Sequence, residues 1–103
     1  MSDSVARYSQ MVAQHPANEL ARFSLAKALF DQGEPDHAKP HFEEALVRRP
    51  DWMVAQILLA RCHLATGNRE LARTAFERAR QLAIEQNHEG PLAELNSVLS
   101  ELN

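Results

Sequence analysis

Apolar residues recur every three or four positions through most of this chain of 103 residues, and short polar breaks separate the periodic segments. Such spacing places apolar side chains on one face of a helix. Leu and Ala are abundant while β-branched residues are scarce, which favours helices over strands. We therefore expect an all-α protein of about six helices, with approximate bounds 4–14, 18–32, 36–49, 51–66, 69–87 and 91–102.

Polar residues and prolines indicate where these helices begin. Asn18, Asp51 and Asn68 are each placed to cap exposed N–H groups at a helix start. Pro40 lies about one turn inside the third helix and removes one backbone donor. We expect a late start or a slight kink of the helix there.

The chain contains an internal repeat of 34 residues, because residues 17–50 align with residues 51–84 without a gap. Small residues, which let two helices approach closely, coincide in the two copies. The eight identical pairs are Ala21/Ala55, Leu25/Leu59, Ala26/Ala60, Gly33/Gly67, Ala38/Ala72, Phe42/Phe76, Glu43/Glu77 and Ala45/Ala79. We predict that Phe42 and Phe76 are buried under alanines, so that successive helix pairs stack with a common curvature.

Both ends of the chain are fragments of the same pattern. Residues 4–14 correspond to the second helix of a repeat whose first helix is absent, since Pro16 precedes Pro50 by 34 positions. Residues 91–102 carry a leucine-rich stripe and are interpreted as a helix that caps the stack. The prediction is a single domain over 1–103, with a half repeat at 4–14, repeat one at 17–50, repeat two at 51–87 and the cap at 91–102.

The period and the residues within it resemble the tetratricopeptide repeat. The residues that carry the resemblance are Leu25-Ala26-x-x-Leu29, Gly33, Ala38-x-x-x-Phe42, Ala45 and Pro50, followed by Leu59-Ala60-x-x-His63, Gly67, Ala72-x-x-x-Phe76 and Ala79. The resemblance implies a right-handed α-solenoid of helix-turn-helix repeats. Two positions depart from the family pattern: its large aromatic residue is Arg22 and then Gln56 here, and its usual tyrosine is Leu29 and then His63.

The resemblance also implies a concave groove lined by the first helix of each repeat, which in most family members binds another protein. The groove residues implied in this chain are Leu20, Phe23, Lys27, Phe30, Asp31, Val54, Ile57, Arg61, Leu64 and Ala65. Some family members bind a chaperone's C-terminal carboxylate through basic and amide groups. Phe23 stands in place of the first basic residue and Lys27 in place of its partner asparagine, so a chaperone-tail adaptor is not the first choice of function here.

Two cations occupy equivalent groove positions. Lys27 has Asp31 four residues later and is expected to pair with it, whereas Arg61 has no carboxylate at its helical neighbour positions. Because a guanidinium suits a carboxylate, we predict an acidic side chain or chain terminus on the partner. The alternative is an ordinary solvated arginine or one bound to another helix.

Two functions remain open at this point. The first is a non-enzymatic interaction module that binds a peptide or helix of a partner protein in the groove. The second is structural self-association as a homodimer, through the helix face left bare by the absent first helix, with Val5, Tyr8, Met11 and Val12 as contacts.

Composition and charge exclude other classes of protein. A net charge of −3 without a basic block argues against nucleic acid as a partner. No stretch approaches the length of a membrane span, and the start lacks the features of a secretory signal, so a cytoplasmic location is the expectation.

We find no catalytic constellation, cofactor motif or metal site in the sequence. His37 and His41 lie four apart, but no third ligand is placed for zinc. Cys62, the single cysteine, is interpreted as a small buried residue, and Trp52 as packing at the joint between repeats.

Overall fold

The computed structural model describes residues 3–103, which form six α-helices and no strand. Their bounds are α1 Asp3–Gln14, α2 Glu19–Asp31, α3 Pro35–Arg48, α4 Met53–Ala65, α5 Arg69–Glu85 and α6 Glu89–Leu102. The predicted fold class, an α-solenoid of about six helices, is confirmed. Each helix packs against the next along the chain, and α2 also contacts α4.

The 34-residue register brings both repeated phenylalanines into the interior, as predicted. Phe42 packs with the buried face of α2, and Phe76 lies among the alanines of α5 and the leucines of α6. The alanines that recur with the phenylalanines, Ala38, Ala45, Ala72 and Ala79, have no exposed surface. Small side chains at these positions let the helix backbones approach closely enough for one ring to fill the space between them.

Glycine ends both first helices of the repeats through the same backbone motif. Gly33 and Gly67 have φ values of 84° and 82°, a left-handed conformation that only glycine adopts without strain. After each glycine, the next N–H donates to a carbonyl five residues earlier, as Glu34 does to Leu29 at 2.9 Å. The third helix end of this kind, after α5, has Asn87 in that conformation, with φ 58°.

Of the three predicted N-caps, one is confirmed. The Asn18 side chain accepts from the N–H groups of Leu20 and Ala21 at 3.0 and 3.2 Å. The prediction for Asp51 is wrong: α4 begins at Met53, because the Trp52 N–H still donates to the Arg49 carbonyl in the preceding turn.

Asn68 occupies the N-cap position of α5 but makes no capping bond with its side chain. Its amide donates to the Thr66 hydroxyl instead, at 3.3 Å.

The expected effect of Pro40 is also corrected. The third helix does not start late but one residue earlier than predicted, at Pro35, and it runs through Pro40 without interruption. Pro35 occupies the first helical turn, where the missing N–H costs nothing and the fixed φ favours the helix.

Helix α6 is held at its last turn by two arginines of α5. Arg69 donates to the Glu101 carbonyl at 3.1 Å, and Arg73 donates to the Leu102 carbonyl at 2.9 Å. These carbonyls have no partner within the helix, so the guanidinium groups satisfy them and lie at the negative end of the helix dipole.

Candidate protein-binding face

The residues of α2 and α4 that the resemblance assigned to the groove differ in exposure. We call the set Leu20, Phe23, Lys27, Phe30, Val54, Ile57, Arg61 and Leu64 the groove face. Three of its apolar side chains are exposed: Leu20 by 59%, Val54 by 46% and Leu64 by 41%. Phe23, Phe30 and Ile57 are half-buried and pack against the two core clusters.

Phe23 connects this face to the interior through a chain of aromatic rings. Its ring meets Phe42 edge-on at 5.7 Å between centroids and stacks on Trp52 at 4.4 Å. The Arg49 guanidinium lies over the Trp52 ring, 4.5 Å from its centroid. Trp52 therefore joins the end of α3 to α2, which is the packing at the joint between repeats that the sequence indicated.

The two cations of the groove face have different surroundings. Lys27 Nζ donates to Asp31 at 2.8 Å, as predicted. Arg61 is exposed, and the structure shows no hydrogen bond or ion pair for it within residues 3–103. Leu64 and Ala65, three and four residues later on α4, are exposed as well, so apolar residues adjoin Arg61 on the helix surface.

A pocket of about 410 Å³ lies between α1 and α2, and we call it the α1–α2 pocket. It is lined by Ser4, Tyr8, Phe23, Ser24, Lys27, Ala28, Asp31 and Gln32. The structure thus brings Phe23 and Lys27 of the groove face together with α1. The contribution of α1 to this surface was not predicted, although Tyr8 lies 34 positions before Phe42 and the repeat register indicates that the two are equivalent.

The sequence profile of the tetratricopeptide repeat matches residues 2–51 and again residues 23–87. The chain belongs to the tetratricopeptide repeat (TPR) family. Sequence comparison with curated proteins finds no match.

Solved structures share the TPR fold over nearly the whole chain. Protein BPP2914 from Bordetella parapertussis is 31% identical, with a TM-score of 0.84 over 99% of this chain and 89% of that one. PcrH, solved in complex with the chaperone binding region of PopD, is 20% identical, with a TM-score of 0.90 over 97% of this chain and 76% of that one.

A third structure is the first TPR of Spaghetti (RPAP3) bound to an HSP90 peptide. It is 19% identical, with a TM-score of 0.76 over 93% of this chain and 77% of that one.

The departures from the TPR pattern have structural consequences. Arg22 takes the place of the aromatic residue and ties two segments together: it donates to the Pro16 carbonyl at 3.0 Å and lies 3.4 Å from His41 Nδ1. Burial lowers the pKa of His41, and the nearby Arg22 cation lowers it further. At the tyrosine position of the second TPR, burial also lowers the pKa of His63, with Lys39 adding to the shift and Glu43 opposing it.

The contacts expected for self-association are partly wrong. Val5 and Val12 are buried in the first core cluster, because they face α2 within the same chain. Only Tyr8 and Met11 of that set remain accessible, Tyr8 half-buried and Met11 exposed.

The surroundings of Cys62 and His37 are also defined. Cys62 is fully buried, and burial raises the pKa of its thiol to about 11, with Lys39 acting against and Asp36 adding to that shift. Within residues 3–103 no group of three metal-ligating side chains comes together, and His37 faces Glu34 at 3.1 Å. None of the six helices described is long and apolar enough to span a bilayer.

Proposed function

We propose that this TPR domain is a non-enzymatic interaction module that binds a peptide or helix of a partner protein on its groove face. The observation that carries the proposal is the position of Arg61, an unpaired guanidinium beside exposed apolar side chains. Large exposed apolar side chains grouped on one face usually mark an interface. Two TPR structures of the same fold, those of PcrH and RPAP3, were solved with segments of other proteins, which supports this choice.

The groove face supplies affinity through its apolar residues. Full burial of one such side chain contributes about 1.5–3 kcal/mol. Leu20, Val54 and Leu64 are the exposed apolar residues of this face, and the loss of translational and side-chain freedom on binding offsets much of the gain from burying them. We therefore expect moderate affinity.

Arg61 sets the preferred chemistry of the partner. Lys27 is already neutralised by Asp31, so Arg61 is the cation of this face that is available for a new ion pair. A guanidinium binds a carboxylate through two parallel hydrogen bonds, which adds orientation as well as energy. The partner segment is accordingly expected to place a Glu, an Asp or its own C-terminal carboxylate among apolar residues.

Self-association through the face of α1 is the less favoured function. Burial of Val5 and Val12 leaves Tyr8 and Met11 as its accessible apolar contacts, fewer than the groove face offers. A monomer at high concentration in light scattering would remove this alternative.

The test is selection of binding peptides from a random displayed library, followed by affinity measurement on variants of the full chain. Arg61→Glu should weaken the selected acidic peptides at least tenfold, because the ion pair becomes a repulsion. Arg78→Glu, a charge reversal at an exposed position of α5, is the matched control and should leave binding unchanged.

The apolar contribution has its own pair of variants. Leu20→Ser should weaken binding severalfold, whereas Val47→Ser, at an exposed position of α3, should not. Selected peptides without any acidic residue, together with an Arg61→Glu variant that binds normally, would contradict the assignment of this face.

A further inference from the structure

A second pocket, of about 410 Å³, lies on α2 between α1 and α3, and we call it the α1–α3 cleft. Its floor is apolar and consists of the buried side chains Val5, Leu25 and Leu29. Leu25 and Leu29 are about one helical turn apart, on the side of α2 opposite to Phe23 and Lys27. The cleft is therefore separate from the groove face, and among the residues described the two share no side chain.

The rim of the cleft is polar and carries one carboxylate. Gln32, the residue at which α2 ends, donates from its amide to Glu34, the residue before α3. His37 Nδ1 lies 3.1 Å from the other oxygen of Glu34, but a histidine carries a full positive charge only when it is protonated. Within residues 3–103 no lysine or arginine lines the cleft or pairs with this carboxylate.

Elsewhere in the stack, the equivalent place is filled by a cation of the protein itself. Counting in steps of 34, Val5 corresponds to Lys39 of α3 and then to Arg73 of α5. Lys39 Nζ donates to the Thr66 hydroxyl at 3.1 Å and lies 3.4 Å from the Asp36 carboxylate. Thr66 is the residue at which α4 ends, so the ammonium group lies over the end of that helix.

Arg73 repeats this arrangement between α5 and α6. Its guanidinium donates to the Glu70 carboxylate and to the Leu102 carbonyl, each at 2.9 Å. Both cations keep their stems largely covered, since the Lys39 side chain is 18% exposed and the Arg73 side chain 27%. In both places a long cationic side chain thus lies over the end of the next helix, beside one carboxylate.

The α1–α3 cleft has the acceptors of this arrangement without a cation from residues 3–103. Gln32 ends α2 as Thr66 ends α4, and Glu34 supplies the carboxylate. Val5 stands where the cations stand in the other two places, and its short side chain does not cover the space that their stems cover. The protein therefore shows twice which chemical group suits this position.

We propose that the α1–α3 cleft binds an alkylammonium or alkylguanidinium group of a ligand, in the position that Lys39 and Arg73 fill elsewhere in the stack. The methylene groups of the ligand lie on the apolar floor, and its N–H groups donate to Glu34 and Gln32. A lysine or arginine side chain of another protein and a free amine both carry this chemistry, and the experiment separates the two sources. The inference does not depend on the groove proposal.

The lining of the cleft disfavours an anion. Glu34 repels it, and the end of α2 directs the negative end of the helix dipole toward the cleft. Arg22 lies 3.4 Å from His41 Nδ1, but His41 is about two turns of α3 from Glu34, or about 10 Å. Burial lowers the pKa of His41, with Arg22 adding to the shift, so near neutral pH this ring adds no charge that would repel a cation.

The test is a titration of the full chain near neutral pH, followed by two-dimensional NMR of its backbone amides. n-Butylguanidinium should cause saturable shifts centred on residues 29–38. n-Butylurea has nearly the same shape without the charge and should bind at least tenfold more weakly.

A second pair of probes identifies the source of the cation. These probes are acetyl-arginine methylamide and its uncharged analogue, acetyl-citrulline methylamide. If the arginine derivative binds at least as tightly as n-butylguanidinium, the ligand is a side chain of another protein. If its backbone weakens binding, the ligand is a free amine.

Variants of the protein locate the site. Glu34→Gln should weaken n-butylguanidinium at least fivefold, and the fold is kept because the Glu34 side chain makes no capping bond. Glu43→Gln, at an exposed position of α3 outside the cleft, is the matched control and should leave binding unchanged. Val5→Lys supplies a cation from within the chain, as Lys39 does, and should abolish probe binding while circular dichroism shows unchanged helical content.

Three results would overturn the inference. The first is absence of saturable shifts up to the solubility limit of the charged probes, or equal binding of charged and uncharged probes. The second is unchanged binding in Glu34→Gln. The third is a set of shifts centred on Asp31 and lost in Asp31→Asn alone, which would place the probe on α2 outside the cleft.

Discussion

The aromatic chain from Phe42 through Phe23 to Trp52 allows a matched test of packing. Phe42 and Phe76 occupy equivalent positions and are equally buried, but only Phe42 has an aromatic partner among the described residues, at 5.7 Å. Phe42→Leu and Phe76→Leu remove the same atoms from similar sites. The difference between them therefore isolates the contribution of the ring pair.

An edge-to-face pair contributes about 0.5–1.5 kcal/mol beyond the apolar area that it buries. We expect Phe42→Leu to lower the free energy of unfolding by that amount more than Phe76→Leu does. In a domain of this size, ~1 kcal/mol corresponds to about 4–8 °C in Tm. Thermal and urea unfolding followed by circular dichroism give the two values.

Fluorescence supplies a second readout, because Trp52 is the single tryptophan and stacks on Phe23. Phe42→Leu should shift the Trp52 emission, since it removes the ring that supports Phe23, and Phe76→Leu should not. Equal losses of stability in the two variants, with equal emission changes, would refute the reasoning.

Three further predictions concern the turns, the histidines and the thiol. Gly67→Ala should lower the free energy of unfolding by about 1–2 kcal/mol, measured by thermal unfolding. The cause is the positive φ alone, since no atom lies within 4 Å of a Cβ added there. Gly90→Ala should not destabilise the fold, because Gly90 lies in a helix and a Cβ added there also meets no atom within 4 Å. Because the pKa of His41 is lower in the folded chain than in the unfolded chain, the unfolded chain binds a proton at this histidine first as the pH falls. The contribution of neutral His41 to stability is therefore present above about pH 6.5 and is lost on acidification. His41→Gln should flatten this part of the dependence of the unfolding free energy on pH, measured by urea titration. With a pKa of about 11 against an ordinary 9.0, Cys62 should react with a thiol reagent roughly a hundredfold more slowly in the folded chain than in urea.

Each of these three has an outcome that contradicts it. Equal effects of the two alanine substitutions would show that backbone conformation does not decide the cost at Gly67. A His41→Gln variant with the full acid-dependent loss would assign the titration to other groups. Rapid labelling of Cys62 under native conditions would show that its surroundings open readily.

The register of the repeat predicted the interior, because the spacing of small and aromatic residues is itself a packing requirement. The burial of Phe42 and Phe76 and the positions of the glycines at the helix ends could be predicted, because each depends on residues within one repeat. Asp51 was assigned wrongly because a helix start depends on where the preceding turn ends, and composition does not show that. The turn after α3 continues to Trp52, and this delays α4 until Met53.

The candidate site was harder to predict because α2 and α4 carry apolar residues around most of their circumference. Periodicity shows which residues share a face, but it does not show which neighbouring helix covers that face. Leu20 and Phe23 were assigned to the groove on equal grounds, yet Phe23 is partly enclosed by Trp52 and Phe42. For the same reason Val5 of α1 was predicted to lie on a bare helix face, whereas it packs against α2.

Two of the hydrogen bonds that attach α6 to α5 are made to main-chain carbonyls, so they add to the packing of its leucines without depending on the side chains at positions 101 and 102. Arg69 and Arg73 donate hydrogen bonds to main-chain carbonyl oxygens, which any amino acid at positions 101 and 102 would provide. Apart from Asn96, whose side chain accepts from Arg80 at 2.6 Å, exposed residues of α6 can therefore be substituted by drift or by an engineer without releasing the helix. This makes the outer surface of α6 a natural place on which to graft a reporter or a foreign epitope.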